Sequence, residues 1–231
     1  MGIMKKIFIL HGWTYATDKW QDFITCLKSN GFEPVLLNIP GLTAETDRVW
    51  TLDNYVEWLK KALGSEKAII IGHSNGGRIA LAFAAKYSDK LKHLILIDSA
   101  GIHHNEFFLR LKRLVFGIVA KIGKKITSSE KWRALLYKAA RESDYANATP
   151  QTRQTMVNLI SSNLTSQLSK ITVSTLIIWG QYDQSTPLSD GTLIHQLIQN
   201  SKLSVVDGAK HSPQFTHTQE VCKKILQEIE T

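Results

Sequence analysis

Ala68-Ile69-Ile70-Ile71-Gly72-His73-Ser74-Asn75-Gly76-Gly77 runs directly into Arg78-Ile79-Ala80-Leu81-Ala82-Phe83. The first four residues form a wholly apolar run, and the last six follow a helical pattern. Between them lies Gly-x-Ser-x-Gly, so the stretch reads as strand, tight turn and helix with a serine at the apex. A turn of this kind strains the serine backbone and pushes its hydroxyl out beyond the sheet. Gly72 and Gly76 are expected where strand and helix approach too closely for side chains.

Working outward, short apolar runs alternate with helical patterns. Strands are expected at residues 5–10, 34–39, 68–71, 94–97, 175–179 and 203–206. Helices are expected at 18–30, 52–63, 75–87, 193–198 and 221–229. Runs that are apolar throughout suit a parallel sheet covered on both faces. Strands joined by helical crossovers make a doubly wound α/β sheet, with chemistry at the carboxyl ends of its strands. The alternation breaks between residues 103 and 170, where Phe107, Leu111, Leu114, Ile118 and Ile122 keep a helical period and no strand-like run occurs. The expected organisation is a core of residues 1–102 and 171–231, interrupted after the fourth strand by a helical cap of residues 103–170.

A serine hydroxyl needs a base, and the base needs an orienting partner. Both are available at later strand ends. The fifth expected strand leads into Gly180-Gln181-Tyr182-Asp183, and the sixth into Asp207-Gly208-Ala209-Lys210-His211-Ser212-Pro213. The chain order is Ser, Asp, His. Asp98, after the fourth strand, is a rival acid, although Asp98-Ser99-Ala100-Gly101 reads more readily as a turn cap.

These pieces, with His11-Gly12-Trp13 after the first strand, resemble the α/β-hydrolase fold superfamily, in particular its serine carboxylesterases with a helical cap. The resemblance implies a mostly parallel sheet, Ser74 as nucleophile, His211 as general base and acid, and Asp183 as orienting carboxylate. It also implies an oxyanion hole from the backbone N–H groups of Trp13 and Asn75. Asn75 opens a helix, so its N–H is one of the donors left unpaired there and faces developing negative charge. Three departures from the superfamily pattern stand out. Thr14 occupies a place often held by glycine, the loop after the second strand reads Asn38-Ile39-Pro40-Gly41-Leu42-Thr43, and the leading antiparallel strands of larger members are expected to be missing.

Composition narrows the function. The chain has 231 residues, 43% of them hydrophobic and 21% charged, enough for a sizeable core. Its apolar runs are far too short to span a membrane, and the N-terminal residues read as a first strand rather than a secretory leader. Cys26 and Cys222 are expected to be separate thiols in a reducing cytoplasm, with neither disulfide nor metal spacing. His103 and His104 are adjacent and poorly placed for one metal, so neither metal nor cofactor is expected; nor is nucleotide, since no phosphate-cradling loop occurs.

The net charge of +8 is carried by residues 103–170, which hold 12 Lys/Arg against 4 Asp/Glu. Arg110, Lys112, Arg113, Lys121, Lys124 and Lys125 could dock an acidic partner such as an acyl carrier, as in the biotin-pathway carboxylesterases that the chain resembles in size and motifs; scattered lysines on a solvated helix face are the plainer explanation. No nucleic-acid motif accompanies the charge. The expected activity is cleavage of a carboxylic ester through an acyl-enzyme on Ser74, with a small acyl ester or acyl-carrier substrate. His11, Phe107, Phe108, Phe116 and Trp132 are the expected pocket lining. A thioesterase or C–C bond hydrolase would use the same three residues, and a ligand receptor without turnover could share the fold.

Overall fold

The structure is a computed structural model and describes residues 5–14, 16–103 and 148–230. Six strands form one sheet: β1 (Lys5–Leu10), β2 (Phe32–Leu36), β3 (Ala68–His73), β4 (Leu91–Ile97), β5 (Thr175–Gly180) and β6 (Ser201–Val206). Their order across the sheet is β2-β1-β3-β4-β5-β6, and every neighbouring pair is parallel. The helices are α1 (Gln21–Ser29), α2 (Leu52–Leu63), α3 (Asn75–Tyr87), α4 (Pro150–Ile160), α5 (Leu188–Leu197), α6 (Pro213–Thr216) and α7 (Thr218–Glu230).

The strand sequences explain the layers. Successive side chains of a strand point to opposite faces, so a continuous apolar run needs a core on each side. In β3, Ile70 packs among Tyr55, Val56 and Leu59 of α2 and Ile79 and Phe83 of α3. Its neighbours Ile69 and Ile71 face Phe23 and Leu27 of α1 and Val221 and Ile225 of α7. Each fully buried Leu, Ile or Phe contributes about 1.5–3 kcal/mol relative to exposure, and this two-sided burial makes α2, α3 and α5 one outer layer and α1 and α7 the other.

Local signals set several boundaries. Thr51 accepts from the Asn54 amide while the Asn54 side chain accepts from the Thr51 amide, a reciprocal cap that starts α2. Gly64, at φ 76°, ends it. β2 begins at Phe32, two residues before the expected start. It lies at the sheet edge, where Pro34 costs no ladder hydrogen bond. The stretch expected as one helix from residue 18 opens as a 3-10 turn over Asp18–Trp20 before α1.

Of the expected cap, the described part is α4 and the 3-10 turn Thr165–Lys170 that leads back to the sheet. Arg78 of α3 fastens this return. Its buried guanidinium donates to the Leu159 and Ser162 carbonyls at the end of α4, and burial brings it down to about 10.

The two cysteines depart from expectation. Cys26 of α1 and Cys222 of α7 are paired as a disulfide, with Cα atoms 6.6 Å apart across a separation of 196 residues. Both helices pack on the same sheet face, so α/β winding brings together two thiols that sequence spacing holds apart. Among the described residues, no helix is long and apolar enough to cross a membrane.

Candidate active site

The sheet order reverses between β2-β1 on one side and β3 on the other, and a crevice at the carboxyl ends of the strands opens at such a switch point. His11-Gly12-Trp13 leaves β1 there, and Ser74 leaves β3.

Ser74 has φ 52° and ψ −119°, a strained conformation for a residue with a side chain. Backbone contacts hold it: its N–H donates to Ile97, and its carbonyl accepts from Arg78 and Ala100 at 3.2 and 2.9 Å. The glycines around it permit close packing, as their sequence positions led one to expect. A Cβ on Gly72 would come within 2.7 Å of the Gly77 Cα, and one on Gly76 would collide with the Leu10 and His11 carbonyls. A Cβ on Gly12 would lie 3.1 Å from both the Ser74 Cβ and the His73 Nδ1, so the first loop lies directly against the serine turn.

Asp183 and His211 come together from the ends of β5 and β6. His211 Nδ1 lies 2.7 Å from Asp183 Oδ2. Asp183 is further held by N–H donation from Ser185 and Thr186 to Oδ1 and by the Thr186 hydroxyl, 2.7 Å from Oδ2. Burial acts to raise this carboxyl, but the His211 hydrogen bond and charge, with Thr186 and the Ser185 amide, outweigh it and hold it below the usual carboxylate range.

His211 reaches the serine turn through His73, the residue before Ser74. The two imidazole rings lie 5.0 Å apart, and His73 Nε2 is 3.1 Å from the Ser212 hydroxyl. His73 packs edge-on against Trp20 and beside Phe215. Burial, with His211 and His11 nearby, drives it well below the ordinary histidine range, so it is neutral.

Asp98 does not cap its own turn. It has φ 43°, its side chain is fully buried, and its carboxylate accepts from two distant backbone amides. Gly180 N–H donates to Oδ1 at 2.8 Å, and Ser212 N–H donates to Oδ2 at 2.7 Å. Oδ2 is 4.0 Å from His211 Nδ1, against 2.7 Å for Asp183. Nothing in the local Asp98 sequence signals either amide, because both arrive from strands that follow the long excursion after β4.

The remaining expected site residues are placed as follows. Asn75 is the first residue of α3, and Trp13 follows Gly12 in the loop after β1. The Trp13 Nε1 and Asn75 Nδ2 atoms, on the two residues expected to supply the oxyanion hole, are buried without a hydrogen-bond partner. His11 is fully buried rather than a pocket wall. Its Nδ1 is 2.8 Å from the Gly12 carbonyl and its Nε2 2.8 Å from the Thr43 hydroxyl, which ties the loops after β1 and β2 together. Phe107, Phe108, Phe116, Trp132 and the basic cluster from Arg110 to Lys125 lie outside the described residues.

His73, Asp98 and His211 bring potential metal-ligand atoms within 4.8 Å of one another. Each already has a protein partner: Ser212 for His73, two amides for Asp98 and Asp183 for His211.

A parallel sheet with a strained serine at its switch point and a histidine–carboxylate pair on the loops after β5 and β6 is the architecture of the α/β-hydrolase fold. The family model for the alpha/beta hydrolase fold matches residues 6–118, and the six-stranded parallel sheet has that fold. Human monoacylglycerol lipase ABHD6 is 25% identical over 256 residues, spanning 97% of this chain and 75% of the relative. The 2-hydroxy-6-oxo-6-phenylhexa-2,4-dienoate hydrolase of Comamonas testosteroni is 24% identical, spanning 94% of this chain and 84% of the relative. Among solved structures, the bromoperoxidase of Bacillus anthracis superposes with a TM-score of 0.76 at 19% identity, covering 100% of this chain and 93% of the other. That likeness is one of fold.

Proposed function

We propose that the protein is a serine hydrolase that cleaves a carboxylic ester through an acyl-enzyme on Ser74. The observation that carries this reading is the 2.7 Å contact between His211 Nδ1 and Asp183 Oδ2 beside a serine held at φ 52°. With Nδ1–H donated to Asp183, the Nε2 of a neutral His211 is left as an acceptor. His211 takes the Ser74 proton as the oxygen attacks the ester carbonyl. The Trp13 and Asn75 N–H groups hold the oxyanion, and the alcohol leaves with the proton from His211. Water then enters, gives its proton to His211, and releases the acid and free Ser74. The lipase relatives favour an ester, and a small acyl ester is the substrate class.

The dienoate-hydrolase relatives support a second reading, in which the same residues cut a C–C bond next to a ketone. A fluorophosphonate and a p-nitrophenyl ester series of rising acyl length test the first reading. The expected result is covalent labelling lost in Ser74→Ala, with turnover on at least one ester. Labelling without ester turnover, together with cleavage of a 2-hydroxy-6-oxo dienoate, would favour the second, and labelling with no turnover on either a receptor.

A further inference from the structure

Among the described residues, Asp98 is the one fully buried carboxylate near His211 to which the proposed chemistry gives no part, and its surroundings are unusually constrained. The chain adopts φ 43° at Asp98, which turns the side chain away from the local loop. Each carboxylate oxygen receives one backbone N–H: Gly180, at the end of the strand that carries Asp183, and Ser212, next to His211. Ser212 itself has φ 86°, so the histidine loop is held in a left-handed turn at the point where Asp98 grips it. The Asp98 N–H donates to Ile178 of β5, and its carbonyl lies 3.1 Å from the Thr186 hydroxyl, which also touches Asp183. One residue thus contacts both arms that bring acid and base together.

Resting on the serine-hydrolase reading above, we propose that Asp98 is a positioning residue for His211. Its carboxylate locks the Gly180 and Ser212 amides at a fixed separation and sets a second negative charge 4.0 Å from the imidazole, so that the imidazolium formed during proton transfer is shared between two carboxylates. The ionisable groups facing Asp98 are Asp183 from the loop after β5, His211 from the loop after β6 and the neutral His73 from the end of β3. Burial pushes Asp98 up to about 7, with Asp183 adding to the rise and the two amides and His211 opposing it. Its charge therefore comes and goes in the pH range where an imidazole works.

The test compares wild type with Asp98→Asn by two readouts. The first, long-range 1H–15N imidazole correlations of His211 followed across pH, needs no substrate and is assigned by loss of the signals in His211→Gln. The His211 transition in Asp98→Asn is expected to move to lower pH by about half to one unit, because a neighbouring negative charge has been removed. The second is the pH profile of ester turnover. Its acid limb should move the same way, with kcat reduced about tenfold and KM changed less than about threefold. A transition and limb that stay put within about 0.2 unit overturn the proposal, even if kcat falls, since a merely structural residue changes the amount of active protein and not the midpoint. If wild type turns over no ester, the reading above fails while the imidazole titration still decides the role of Asp98. Should Asp98→Asn not fold, Asp98→Ser, small enough to admit water between the two amides, carries the same comparison.

Discussion

The imidazoles of His73 and His211 lie 5.0 Å apart, centroid to centroid, with planes tilted by 44°. Charging His73 is costly. His73 is enclosed by Trp20, Phe215 and the strand end, and its pKa lies well below the ordinary value of 6.5. Below pH 6.5 the unfolded chain gains a proton at this position that the folded protein refuses, so stability is present above pH 6.5 and lost as pH falls. The loss approaches about 1.4 kcal/mol per pH unit. Urea unfolding at pH 7 and pH 5 should show a smaller drop for His73→Asn than for wild type. Equal drops in the two proteins would remove His73 from the account.

The hydrogen bond from His211 to Asp183 predicts a large catalytic effect from a small change. Asp183→Asn keeps the volume but favours the wrong imidazole tautomer, and kcat on the best ester should fall by about 10³–10⁴-fold with KM little altered. Steady-state kinetics beside a fluorophosphonate labelling rate measure this. A loss under tenfold would mean that another group orients His211.

The glycines around the nucleophile turn predict a contrast within one residue type. Gly76→Ala drives a methyl group into the Leu10 and His11 carbonyls, which belong to rigid backbone, and should cost about 3 kcal/mol or more. Gly208→Ala meets nothing within 4 Å and suffers only from its φ of 70°, a cost of about 1 kcal/mol. Thermal melts of the two variants should rank accordingly, and the reverse order would contradict the packing described at β1.

The pairing of Cys26 with Cys222 predicts redox-sensitive stability. A cross-link closing 196 residues restricts the unfolded chain, in the chain-entropy account by up to about 4–5 kcal/mol. Dithiothreitol should lower the melting temperature of wild type and leave Cys222→Ser unmoved, with the reduced wild type melting near the variant. A wild type indifferent to reductant would show that the bond contributes nothing to the fold.

Much of this architecture was legible from residues 68–83 and the strand runs, because two-sided burial demands unbroken apolar segments. Helix α2 was read to the residue, since Tyr55, Val56, Leu59 and Ala62 keep a helical period and Gly64 marks its end. The start of β2 was not, because an edge strand tolerates a proline that ordinarily signals a break. Asp183 and His211, which the structure brings into contact, stood out with Ser74 because each follows a strand that announces itself. Asp98 and the cysteine pair were misread for one shared reason: their partners, Gly180, Ser212 and each other, are chosen by strand order across the sheet rather than by sequence neighbourhood. His11 was assigned to the pocket from its place after β1, but its bond to Thr43 depends on how the β2 loop folds back.

The excursion between Ile97 and Thr175 has its own consequence. It departs from one strand and rejoins the sheet in the strand beside it, where Leu94 pairs with Thr175 and Asp98 bonds to Ile178. Its length is therefore topologically free. Segments can be spliced in, trimmed or swapped at that seam without re-threading the β-sheet, and the serine, the acid and the histidine all sit on turns outside it. A lineage built this way can change its diet while keeping its cutting edge, and distant relatives with this arrangement need agree in little beyond the strand ends.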